Sequence, residues 1–255
     1  MHSPTVGVSL EQRIAPSISV WSQRQVVIVL GVRSWLTKLL IVAAVVLGLM
    51  PQAARAQTTT FSFAGAKVNW TVPRSAIYRV TAVGAQGASA QPGFSGGRGA
   101  KIVGEFELTV GTVYQIAVGG QGKVVLLNGS GGGGTFFVDA SNNPLLIAGG
   151  GGGTRANANQ NGTDASTGTA ATTSSGSNVN YVPASLGATI GKGGSVGAVS
   201  FGSGGAGFFG DGATDSICGP TAGGGKSWAN GLAGGGGPGA AFGGFGGGGA
   251  GDGCF

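Results

Sequence analysis

Histidine and cysteine are nearly absent: the chain has one His, His2, and two Cys, Cys218 and Cys254. With no histidine in the body of the chain, Ser-His-Asp and Cys-His mechanisms are excluded, as is a His-containing metal site. No cofactor, metal or catalytic residue is therefore expected. Charged side chains are also scarce, at 9% of residues. The longest apolar runs, Val26–Val32 and Leu39–Met50, are separated by Arg33, Ser34 and Lys38. Neither reaches the roughly 20 residues that span a bilayer.

The first quarter reads as targeting sequence. Arg33 and Lys38 form a positive region, Leu39–Met50 an apolar one, and Ala54-Arg55-Ala56 a small-residue cleavage motif. Cleavage is expected between Ala56 and Gln57, with an uncleaved anchor as the alternative. Residues 1–32 precede this signal as an extension, which suggests a translation start near Leu30 or Val32. Removing residues 1–56 takes away Arg13, Arg24, Arg33, Lys38, Arg55 and Glu11, leaving nine basic and seven acidic residues. The formal charge of +6 thus falls to about +2, which offers no concentrated basic patch for nucleic acid.

Glycine is what the chain has in abundance: 54 of its 57 glycines fall after residue 56. They cluster in runs and do not recur at every third position, so collagen is excluded. Short alternating segments between turn signals point to an all-β domain. Phe61-Ser62-Phe63, Val68–Val72, Ile77–Val83 and Lys101–Val110 each place alternate residues on one face. Gly111-Thr112 suggests a hairpin from Lys101–Val110 into Tyr114–Val118. Thr135–Val138 and Leu145–Ala148 form a second expected pair across Asn142-Asn143-Pro144.

Residues 154–180 are polar and almost without core-forming side chains, so a long flexible surface loop is expected over 154–186. From 187 onward glycine runs return, punctuated by isolated large apolar residues. Runs of this kind can be ordered as extended threefold helices without internal hydrogen bonds. Their backbone groups must then pair laterally with neighbouring segments. The runs at 131–134, 149–153, 234–237 and 246–249 could supply such an array. The resulting division is a leader at 1–56, a β-rich half at 57–153, the loop at 154–186 and a glycine-rich half at 187–255.

Trp70-Thr71-Val72-Pro73, Tyr78–Gly87, Gly96-Gly97 with Gly99-Ala100, Leu108-Thr109-Val110-Gly111 and Tyr114 to Gly120 occur in an order that resembles a known family. It is the glycine-rich domain of the anaplastic lymphoma kinase and leukocyte tyrosine kinase receptor ectodomains. Leu145–Gly153 and Gly243–Gly249 are similar to that family's strand-to-polyglycine passages. The resemblance implies a β-sandwich of tumour-necrosis-factor-like topology with an inserted polyglycine-II bundle. It also implies further closing strands beyond Phe255. The chain carries no kinase motif, so a tyrosine-kinase activity would not follow from the resemblance.

Five aromatics, Phe208, Phe209, Trp228, Phe242 and Phe245, are candidate recognition anchors; the alternative is that they pack against the sandwich. Cys218 and Cys254 lie in the exported part, where an oxidising compartment favours a disulfide. Gly202–Gly207 matches GxGxxG, and Pro220–Ser227 approaches a phosphate loop, but both lack the strand-to-helix context such sites need. Asp211, Asp215 and Asp252 read as solvated loop carboxylates. Asn69, Asn128 and Asn161 open glycosylation triplets. The expected function is a secreted or surface-exposed structural or recognition module for an extracellular protein or glycan, with membrane contact only through an uncleaved signal. The alternatives are a disordered glycine-rich matrix protein, a receptor ectodomain fragment and a viral fibre-tip adhesin.

Overall fold

The computed structural model describes residues 6–13, 57–90, 92–154, 161–172, 185–186, 191–196, 202–216 and 222–251. Every regular element among them is a strand. They are β1 (Gly7–Arg13), β2 (Thr58–Phe61), β3 (Lys67–Thr71), β4 (Ala76–Val83), β5 (Lys101–Leu108), β6 (Val113–Ala117), β7 (Val124–Val125), β8 (Asn128–Gly129), β9 (Thr135–Asp139), β10 (Pro144–Ala148), β11 (Ser185–Leu186) and β12 (Ser195–Val196). Two four-stranded antiparallel sheets run β2-β1-β4-β5 and β10-β9-β6-β3, and β7-β8 and β11-β12 are small ribbons.

Alternation builds the first sheet. In β4, Tyr78, Val80 and Ala82 are buried while Ile77 and Arg79 are exposed, the period-two signature of a half-buried strand. β1 follows the same rule: Val8, Leu10 and Gln12 point inward, and Glu11 stands opposite Arg79 on the other face. Residues 7–13 belong to the segment read from sequence as a leader. Here they form an inner strand, because Val6, Val8 and Leu10 alternate as well as any strand further along the chain.

Both sheets contribute to one core. Val8, Leu10 and Val80 from the first meet Trp70, Tyr114, Ile116 and Phe137 from the second. Tyr114 and Phe137 stack with ring centroids 4.9 Å apart, and Trp70 meets Tyr78 edge-on at 5.6 Å. Full burial of a side chain such as Phe137 is worth about 1.5–3 kcal/mol. The second sheet is covered on its other face too. Phe136 and Val138 join Phe208, Trp228 and Leu232 in a separate cluster. That explains the unbroken apolar run Phe136-Phe137-Val138, since a strand buried on both sides has no polar face to alternate with.

The expected hairpin through Gly111-Thr112 does not form. β5 pairs with β4, while β6 pairs with β3 and β9, so this connection passes from one sheet to the other. Its turn is tight, with Gly111 at φ 82°, but it is clasped to the end of β3. The Gly111 N–H donates to Val72 O, and the Val72 N–H donates to Thr112 O, both at 2.9 Å. The β9–β10 pair does form. Asp139 accepts hydrogen bonds from the Ser141 and Asn143 N–H groups at 2.8 Å, and Asn142 takes φ 62°. Phe61-Ser62-Phe63 is shifted from expectation: β2 ends at Phe61, and Phe63 is exposed.

Candidate functional site

Against the second sheet lies a bundle of glycine segments drawn from both halves of the chain. The Gly132 N–H donates to Gly151 O, that of Gly151 to Ala85 O, and that of Ala85 to Gly133 O, each at 2.9 Å. The later runs join in: Gly131 donates to Gly249 O at 3.0 Å, Gly134 to Gly246 O at 2.9 Å, and Gly235 to Gly248 O at 2.8 Å. A methyl group on Gly84, Gly97 or Gly132 would overlap the carbonyl of Gly149, Thr163 or Ala85, respectively. At these positions it is close backbone approach, not a left-handed φ, that requires glycine.

A few hydroxyls fasten the bundle. Buried Thr135 donates through Oγ1 to Val83 O at 2.7 Å and accepts from the Gly119 N–H at 2.9 Å. Ser130 Oγ donates to Phe242 O at 2.6 Å, and Ser203 Oγ accepts from the Ala250 N–H at 2.8 Å. The polar tract after Gly153 joins as well. Thr163 O accepts from the Gly152 N–H, and Asp164 Oδ1 accepts from the Arg98 N–H. Residues 161–165 therefore run along the bundle, where a flexible loop was expected; 155–160 and 173–184 lie outside the described residues.

The five candidate aromatics divide between core and surface. Phe208 and Trp228 are buried and stacked, with centroids 5.5 Å apart and Phe136 beside both. These two show the packing that the sequence offered as the alternative to a surface role. Trp228 is further held by its indole N–H to Asn142 Oδ1 at 2.9 Å. Lys67 Nζ sits 4.0 Å from the Trp228 ring centroid and donates to Trp228 O at 2.8 Å. Desolvation at this contact lowers the Lys67 pKa. Phe245 is half-buried, edge-on to Phe63 at 6.2 Å. Phe209 and Phe242 remain in solvent, 68% and 51% exposed.

Phe209 also lines a cavity of about 670 Å³ walled mainly by glycine segments of the bundle. Ile147 and Phe136 contribute apolar surface to it, and Thr163, Thr167 and Thr169 line it as well. The cavity size falls in the range of small-ligand sites.

The remaining sequence candidates have structural roles where they are described. In the GxGxxG match, the Gly204, Ala206 and Gly207 N–H groups donate to Ala213, Gly247 and Gly210 carbonyls. In the phosphate-loop-like stretch, Gly223, Gly225 and Lys226 donate to Gly236, Gly204 and Ala233. Amides committed to the bundle cannot cradle a phosphate. Asp215, expected in solvent, is buried, and its Oδ2 accepts from the Gly202 N–H at 3.1 Å. Asp211 accepts from the Ser227 N–H at 2.8 Å, Asn230 Nδ2 at 2.9 Å and Lys226 Nζ at 3.1 Å. These donors, the Ser227 N–H foremost, hold its carboxyl well below the usual range.

Of the glycosylation triplets, Asn69 is exposed on β3, Asn128 is buried, and Asn161 accepts from the Ser95 N–H at 2.9 Å. Cys218, Cys254, Asp252 and Ala56 lie outside the described residues, while Gln57 immediately precedes β2. Two of the features not read from the sequence bear on the surface and the first sheet. One is β1; the other is the β7–β8 turn, where Leu126 takes φ 53° and is 69% exposed beside the exposed Leu127. The Val6-Val8-Leu10 alternation could have signalled the first. A Leu-Leu pair where a hairpin would normally use Asn-Gly gives no signal for the second. Comparison of the chain with protein-family models gives no match, and comparison with curated proteins gives none.

Proposed function

We propose that the chain is an exported, non-catalytic recognition module in which a β-sandwich supports a rigid glycine platform. In this reading the two sheets sharing one core are a sandwich of tumour-necrosis-factor-like topology, and the glycine segments are a polyglycine-II bundle. The observation that carries it is lateral hydrogen bonding between glycine segments of both halves of the chain. Such an array restrains its loops, so that side chains at its margin are presented at fixed positions and little ordering entropy is lost on binding.

Phe209 and Phe242 are the anchors this reading assigns to an extracellular protein or glycan, and the cavity beside Phe209 is the concave part of the surface. The disordered-matrix alternative demands unpaired, solvated glycines. Hydrogen exchange on the full chain separates the two readings. The Gly132, Gly151, Gly235 and Gly244 amides are expected to exchange at least about 1,000-fold slower than in an unstructured peptide, as befits cooperative opening. Exchange at the unstructured rate would remove the platform and the reading with it.

A further inference from the structure

We infer that the gap between β2 and β4 is a strand-acceptor site, filled in the intact chain by the chain's own Gly7–Arg13 and able to take that segment as a separate peptide. The first argument is connectivity. Among the described residues β2 pairs with β1 alone, and β1 is what joins it to the sheet. Withdrawing β1 leaves β2 and β4 with facing rows of unpaired N–H and C=O groups, and uncovers Tyr78, Val80 and Ala82. A pair of open edges around an apolar floor is a template for an extended peptide.

The second argument is that the slot selects its occupant. Val8 and Leu10 are fully buried and Gln12 nearly so, while Arg13 is exposed at the end. Gly7 must be small, because a Cβ there would come within 2.6 Å of Phe61 O. On the outer face Glu11 stands opposite Arg79, and Arg13 Nε lies 3.5 Å from Glu105 Oε1. A one-residue slip would turn Glu11 inward and both aliphatic side chains out, so the pattern sets register as well as affinity. The ligand class is thus an extended peptide that is apolar at positions 8 and 10 and neutral at 12, which face inward, and small at position 7, with an acid facing Arg79.

The third argument is that the hold is local. Among the described residues, β1 is held by ladders to β2 and β4, the Gln12 N–H to Gln57 O at 3.0 Å, its buried side chains and the Arg13 ion pair. None of these needs covalent continuity with residue 57. Cleavage between Ala56 and Gln57 is one event that would make the slot available, but the inference does not depend on export.

The test is uptake of a fluorescent peptide of residues 6–13 by full-length protein, followed by anisotropy. Two forms are used: the full chain nicked at a protease site inserted after Ser34, and the intact chain carrying Leu10→Asp, which weakens its own strand. Both are expected to bind the peptide saturably, at concentrations where the intact wild type takes up none. A peptide with Leu10→Asp should compete at least about 100-fold less well, because it places a charge at a dry position. Uptake by neither form overturns the inference, and so does equal competition by the two peptides.

Discussion

Glycine is required by close backbone approach at some positions of this molecule and not at others, and the two kinds predict different mutational costs. At Gly97 the obstacle to a side chain is a rigid backbone carbonyl, that of Thr163, whereas at Gly168 the nearest atom is the Ser166 hydroxyl at 3.5 Å. Gly97→Ala must therefore push two bundle segments apart, and overpacking of this kind costs about 1–3 kcal/mol or more. Gly168→Ala meets only ordinary contact and should change stability by less than about 0.5 kcal/mol. Urea denaturation of the two variants beside the wild type checks the contrast. Equal, small effects would mean that the bundle yields easily. The neighbouring residues Phe208 and Phe209 illustrate another limit of residue-level reading. One is buried and the other exposed, yet glycine on either side supplies no periodic pattern from which to tell them apart.

At the scale of elements, one carboxylate supplements the backbone hydrogen bonds that close the turn at Ser227–Asn230. Asp211 is stabilised in its charged form by the Ser227 N–H, Asn230 and Lys226, so its folded pKa lies below the ordinary 3.8. A depressed carboxylate contributes stability that is complete above its unfolded pKa and is lost as pH falls below it. The stability gap between wild type and Asp211→Asn should therefore be constant from pH 7 to about 5 and shrink from about pH 4 downward. Thermal melts across that range measure it, and a gap that widened in acid would contradict the assignment.

Strands were legible where side chains alternate, as in β4, or where turn residues frame two apolar runs, as Asn142-Asn143-Pro144 does for β9 and β10. Pairing was less legible, since alternation reveals a strand's faces but not its neighbours; β5 and β6 look like a hairpin and lie in different sheets. β1 was hidden by position, inside the stretch read from sequence as a leader. The order of the glycine bundle could be entertained but not read, because its partners are backbone groups that leave no trace in residue type.

For the whole molecule, the question is whether the two halves are separate units. Fixing a residue's backbone costs about 1–2 kcal/mol, and glycine loses more conformational freedom than any other residue. The later glycine segments bury few large side chains of their own, so they cannot offset that cost without the second sheet. The contacts that compensate span the chain: Lys67 to Trp228, Ser130 to Phe242, and Phe136 to both Phe208 and Trp228. Trp70 sits in the core between the sheets, and Trp228 in the cluster that seats the later segments. With Trp21 and Trp35 replaced by Phe, variants retaining only Trp70 or only Trp228 therefore report on the two regions. The argument requires each reporter's fluorescence transition to coincide with the far-ultraviolet dichroism transition of the same variant, at one midpoint and one slope. If Trp228 were released at lower urea while Trp70 stayed buried, the later glycine segments would be a separately melting layer, and the platform would owe little to the sheet beneath it.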